Sequence, residues 1–239
     1  FLQGTYTYDN RYVFAGTANY EGSNQLGRSR SSRWLPTWNV SGRWNASNEK
    51  FLEDNSTISN LAFRLSYGLI AGLGAASNAL AIFENSIANR YNSADRESMI
   101  AIKSLQNSEL TWEKVYEANV GMELGLFKNR VNLSLDLYQK NSKDLIDYVR
   151  TSGVGGQLVK LANNASMVTK GIELALDTKN IKTDNFSWNT GINFAYFNQE
   201  ITSLTYRPNV YNLVREVGGN VVGGAPMDTM KAFSHAMLE

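Results

Sequence analysis

The chain has 239 residues, with 23 Lys+Arg against 22 Asp+Glu, one His and no Cys. The lack of Cys excludes disulfides, thiolate metal sites and cysteine nucleophiles, and the single His235 leaves no basis for a His-rich metal centre or a Ser-His-Asp triad. A net charge of +1 gives no electrostatic footprint for nucleic acid, so no nucleic-acid partner is expected. The longest mostly apolar or small stretch, Leu69 to Phe83, is broken by Ser77 and Asn78 and is too short and polar for a membrane-spanning helix. A soluble β protein and a transmembrane β-barrel both remain, because a barrel strand needs an apolar residue only at every second position. Few prolines (3) and many aromatics (12 Tyr, 10 Phe, 5 Trp) favour strands, and 19 Gly supply turns.

The chain opens on Phe1-Leu-Gln-Gly, which reads as the interior of a strand and has no basic segment followed by an apolar one. A processed or partial chain is therefore expected. Strands near residues 1–8 and 11–20 meet at Asp9-Asn10, a two-residue hairpin turn. Next, Trp38, Val40, Gly42 and Trp44 oppose Thr37, Asn39, Ser41 and Arg43. Leu61, Phe63, Leu65 and Tyr67 oppose Ala62, Arg64, Ser66 and Gly68. Tyr116, Ala118, Val120, Met122 and Leu124 oppose Glu117, Asn119, Gly121 and Glu123. After a tight turn at Phe127–Arg130, Val131, Leu133, Leu135 and Leu137 oppose Asn132, Ser134, Asp136 and Tyr138. Ile172, Leu174 and Leu176, then Trp188, Thr190, Ile192, Phe194 and Tyr196, continue the period of two.

The links separate by length. Asp9-Asn10, Phe127–Arg130 and Thr178–Asn185 are short, and Asn45–Asn60 is intermediate. Glu21–Arg33, Leu69–Glu109, Arg150–Val168 and a segment after Gln199 are long. Short and long alternate along about eight strands, as in an outer-membrane barrel with short periplasmic turns and long outer loops. A sandwich has no reason to sort its loops this way. Trp34, Trp38, Trp44, Trp112 and Trp188 fall near strand ends, the place of an aromatic girdle, and packing in an ordinary β core fits them equally.

Chemistry-bearing constellations are weak. Asp136 with Glu123, or Glu173 with Asp177, have the residue types of acid–base pairs. Their period-two placement reads instead as the wet face of strands, so neither a catalytic residue nor an enzyme is expected. Gly153-Val-Gly-Gly156 lacks the Lys and the strand–loop–helix setting of a phosphate loop. No cofactor or metal is expected.

Several segments, in order, resemble the SusC/RagA family of TonB-linked outer-membrane receptors. They are Tyr20-Glu-Gly-Ser-Asn, Arg33-Trp-Leu-Pro-Thr-Trp-Asn-Val-Ser-Gly-Arg-Trp44 and Leu61-Ala-Phe-Arg-Leu-Ser-Tyr-Gly68. Leu110-Thr-Trp-Glu-Lys, Asn119 to Arg130, Asp136 to Leu145, Asn163-Asn-Ala-Ser and Lys170-Gly-Ile-Glu-Leu174 follow. Phe186-Ser-Trp-Asn-Thr and Asn193 to Ile201 complete the set.

The resemblance implies an all-β, antiparallel, up-and-down transmembrane barrel. Residues 1–239 would supply about eight strands of a larger, 22-strand barrel with long extracellular loops, its plug domain lying outside this chain. It implies TonB-dependent import of large nutrients across the outer membrane, oligosaccharides first, with a SusD-like surface lipoprotein as partner. Peptide or siderophore uptake, or a binding and adhesion barrel without transport, are the alternatives. Phe83, Tyr91, Tyr148, Tyr206 and Tyr211 are the loop aromatics expected to meet substrate or partner.

Overall fold

Alternation of this kind resolves into one antiparallel meander. A computed structural model of the chain describes residues 1–52, 55–74, 79–89, 96–153 and 158–205. Eight strands form one sheet in the order β1 (Leu2–Tyr8), β2 (Tyr12–Gly22), β3 (Trp34–Asn45), β4 (Ile58–Gly72), β7 (Glu113–Leu126), β8 (Val131–Arg150), β9 (Val159–Lys182) and β10 (Ser187–Leu204). The remaining two, β5 (Ile82–Asn89) and β6 (Arg96–Ser104), pair only with each other, in a hairpin inserted between β4 and β7. This hairpin lies inside the long Leu69–Glu109 link. Its apolar positions Phe83, Ile87 and Ile100 are exposed.

Register carries the period of two across the sheet. Gly42, Leu65, Val120, Leu137, Ile172 and Tyr196 are cross-strand neighbours in one row. One register position over, Arg43, Arg64, Gly121, Asp136, Glu173 and Ala195 form the next. Successive side chains point to opposite faces, so one face of the sheet is apolar and the other polar. The apolar face is not covered by protein: Leu65 is 60% exposed and Val120 51% exposed.

Turn chemistry matches the tight connections. Asp9 and Asn10 both have positive φ (51° and 52°), the backbone of a type I′ hairpin turn. Phe127, Lys128 and Asn129 are likewise left-handed. At the same end of the sheet, Thr183–Phe186 closes β9 onto β10 through the Thr183 N–H to Phe186 carbonyl bond. The 46–57 connection is also there. Its Glu49 accepts from Tyr12 Oη (2.8 Å) and Trp44 Nε1 (3.2 Å) and lies 3.4 Å from Arg11 Nη1.

Two expectations change at the opposite end. The span 150–168 is not one long loop. Bulges between Ser142 and Ile146 let β8 and β9 pair onward from Leu145↔Ala165 to Arg150↔Val159. Asp144 takes φ 59° within that irregularity. Trp112 is no girdle residue. It is buried with Leu26, Ala79, Leu110, Ile146 and Leu161 in a small core where the loop segments meet the strand ends. Leu110 (0% exposed) and Leu26 (2%) are the largest fully buried side chains among the described residues. No described helix is long and apolar enough to cross a membrane, which says nothing of strands.

Candidate functional site: one wall with two chemistries

The apolar face has a measurable height. Tyr20 stacks on Trp34 (centroids 5.1 Å apart) and Trp38 meets Tyr67 edge-on (5.5 Å), both toward the loop end. Trp44 stacks on Phe63 (5.7 Å), with Tyr8 and Tyr12 in the same register row, toward the turn end. Trp34 and Trp44 lie ten residues apart on β3, about 33 Å of strand at about 3.3 Å per residue. At a tilt of about 40° that is about 25 Å of height, the thickness of the apolar band on an outer-membrane barrel. Between the two aromatic belts lie Val40, Leu65, Val120 and Leu137.

On the polar face, charges are cross-braced. Arg43 holds Glu123 with two bonds, Nη2 to Oε2 at 2.7 Å and Nη1 to Oε1 at 3.2 Å. Arg64 Nη2 donates to both carboxylate oxygens of Asp136, at 3.0 and 3.1 Å, and its Nε lies 3.4 Å from Glu123. Arg64 is on β4 and Asp136 on β8, so the pair spans β7. Gly121 makes the span possible: a Cβ there would lie 2.7 Å from Asp136 Oδ1 and 3.0 Å from Arg64 Nε. A similar device operates at Gly171, over which the Tyr138 ring lies. Lys140 faces Glu117 at 3.6 Å. These groups are part-exposed, so each pair contributes about 0–1 kcal/mol. Their effect is to order a hydrated surface.

The carboxylate geometry speaks against acid–base chemistry. Glu123 and Asp136 are both engaged by guanidinium groups. Glu173 and Asp177 share a face of β9 four residues apart, about 13 Å along the backbone, so they do not sit side by side as a pair. Beside this ladder, Thr17, Asn19, Glu21, Thr37 and Asn39 line a shallow recess with Phe1 at its rim. Glu21 Oε1 accepts from Asn19 Nδ2 (2.8 Å) and Thr37 Oγ1 (3.1 Å) there.

At the loop end, four segments quoted for the family resemblance converge. Asn163 accepts from the Thr111 N–H (2.9 Å) and donates to the Thr111 carbonyl (2.9 Å) and the Asp144 carbonyl (2.6 Å). Trp112 Nε1 donates to the Arg33 carbonyl at 2.9 Å. The motifs thus clamp the 105–112 segment between the β2–β3 loop and the β8 bulge. Sequence alternation carries no signal of this clamp, nor of the Gly121 gap.

Of the expected contact residues, Phe83 (61% exposed) is on β5 and Tyr148 (43%) on the outer extension of β8. They belong to different sheets. Tyr91, Tyr206 and Tyr211 lie outside the described residues.

Comparison with known proteins bears on this geometry. The family model described as TonB dependent receptor-like, beta-barrel matches residues 1–234. TonB-dependent receptor P3 of Formosa agariphila is 28% identical over 203 residues, 83% of this chain and 20% of the relative. TonB-dependent receptor SusC of Bacteroides thetaiotaomicron is 28% identical over 205 residues, 84% of this chain and 20% of the relative. The chain therefore spans about a fifth of the length of the curated relatives it matches. The RagAB peptide importer in its closed-closed state superposes with a TM-score of 0.74 over 87% of this chain and 22% of that one, at 24% identity, a likeness of fold.

Proposed function

The chain belongs to the TonB-dependent receptor β-barrel family, and from that premise we propose that it forms part of the lumen wall of an importer that takes up oligosaccharides. It is an outer-membrane β-barrel protein: its belted apolar face meets lipid. The polar face then lines the lumen.

The observation that carries the transport reading is the polar row Arg43, Arg64, Asp136 and Glu173, bridged over the gap at Gly121 and part-exposed to water. Such a wall offers hydrogen bonds along a path. Oligosaccharides are the substrate class that the SusC/RagA resemblance of the sequence implies. The recess adds support: its Thr17, Asn19, Thr37 and Asn39 groups hydrogen-bond sugar hydroxyls, and Trp38 and its aliphatic neighbours give apolar surface beside them. A SusD-like lipoprotein at the loop end and energy from TonB complete the reading. Phe83 and Tyr148 give exposed aromatic surface for substrate or partner.

Growth of a receptor-deletion strain on a panel of glycans and peptides tests this. Loss of growth on at least one oligosaccharide, restored by the gene, is the expected result. Unchanged growth on every glycan with lost growth on peptides would overturn the sugar assignment.

A further inference from the structure

The β2–β3 loop, residues 23–33, contains Arg28, Arg30 and Arg33 and no carboxylate. Arg33 is used internally, its Nε donating to the Gly27 carbonyl at 2.8 Å. Arg28 and Arg30 are exposed, and among the described residues neither has a carboxylate within ion-pair distance. On the polar face, by contrast, Arg43 and Arg64 are each matched to acids. The loop backbone is pinned by Gly27 N–H to the Leu110 carbonyl (2.8 Å) and Arg28 N–H to the Ser108 carbonyl (3.1 Å). The two arginines are therefore displayed from a fixed frame.

The height of that frame is set by its flanks. Gly22 pairs with Trp34 in register, and the Tyr20–Trp34 stack stands on the lipid-facing side. Tyr and Trp settle at headgroup level. Arg30–Arg33 is the single helical turn that runs directly into Trp34. We propose that Arg28 and Arg30 form a docking site for the phosphates of outer-leaflet lipid headgroups. A guanidinium matches a phosphate bidentately, and exposed cations flanking the aromatic stack stand at the height of phosphate-bearing headgroups. This inference rests on the membrane placement of the wall and is independent of the substrate.

The test uses the intact receptor in non-ionic detergent and three probes: an acylated disaccharide bisphosphate lipid, the same lipid dephosphorylated, and inorganic phosphate. Each arginine near an anionic lipid surface contributes about five-fold in affinity. Arg28→Gln with Arg30→Gln is therefore expected to weaken bisphosphate-lipid retention about twenty-five-fold by native mass spectrometry. Arg28→Lys with Arg30→Lys, which keeps the charge and loses the bidentate fork, should fall between wild type and the Gln variant. The dephosphorylated lipid should bind both forms equally weakly, and inorganic phosphate should not be retained. Undiminished retention by the Gln variant, or wild-type binding of the dephosphorylated lipid as tight as that of the phosphorylated one, would overturn the site. Retention of inorganic phosphate that the Gln variant loses would overturn the lipid assignment. Heat-modifiable gel mobility checks that each variant is folded.

Discussion

A single absent side chain organises the polar face. Gly121 leaves the gap through which Arg64 reaches over β7 to Asp136. Gly121→Val places a branched side chain where those two groups now meet. Both are flexible and part-exposed, so they shift rather than clash rigidly, and the loss is that of the ion pair, about 1 kcal/mol. Urea unfolding in lipid vesicles measures it, and an unchanged midpoint would show that the span contributes nothing. Glu49 gives a second test, outside the membrane. The Tyr12 hydroxyl first, then the Trp44 indole N–H, hold its carboxyl below the ordinary value, with Arg11 adding a smaller effect in the same direction. A group depressed in the folded state contributes stability above its unfolded pKa and loses it as pH falls through the folded value. The wild-type unfolding midpoint should therefore drop as pH is lowered below about 4.3, the usual glutamate value. Glu49→Gln should flatten that part of the profile. Parallel curves for the two proteins would remove Glu49 as the cause.

Within one strand, adjacent positions face different solvents. Val120 is on the lipid face and Asn119 on the lumen face of β7. An arginine near mid-membrane on the lipid side costs about 2–4 kcal/mol, while a lumen substitution is tolerated. Val120→Arg should lower assembled barrel in the outer membrane severalfold, and Asn119→Arg should leave it near wild type, both read by heat-modifiable mobility. Equal loss in both would mean that the faces are misassigned. The same alternation explains what was legible in the sequence. Residues 37–44, 61–68, 116–124 and 131–138 alternate because lipid and water lie on opposite sides, and they read as strands at once. The outer parts of β8 and β9 lack that contrast and read as a loop in sequence, although the ladder continues from Leu145↔Ala165. The β5–β6 hairpin was hidden for the same reason, although Phe83, Ile87, Ile100 and Ile102 alternate faintly. Polar-face membership of Arg43, Arg64, Glu123 and Asp136 was readable. Which acid each arginine grips was not, because it depends on the register of strands as far apart in sequence as β3 and β7.

Across the whole molecule, the water-excluded core and the membrane wall are separate structures. The wall gains its apolar burial from lipid, and its edge strands β1 and β10 need further strands to pair with, since open edges do not occur in hydrocarbon. The Leu26–Leu110–Trp112–Ile146–Leu161 cluster is buried by protein alone, at the loop end. It fixes the loops to the strand ends through contacts that the bilayer does not supply. Leu110→Ala should therefore cost about 2–5 kcal/mol locally, the range for a fully buried leucine, without unseating the wall. The expected pattern is split: limited proteolysis on intact cells should cut within residues 23–33 or 105–112 in the variant, while the barrel's heat-modifiable mobility stays as in wild type. If the loop segments stay resistant, the clamp at Asn163 and the backbone bonds to Gly27 and Arg28 hold them without the core. If the barrel itself fails to assemble, loop core and wall fold as one unit.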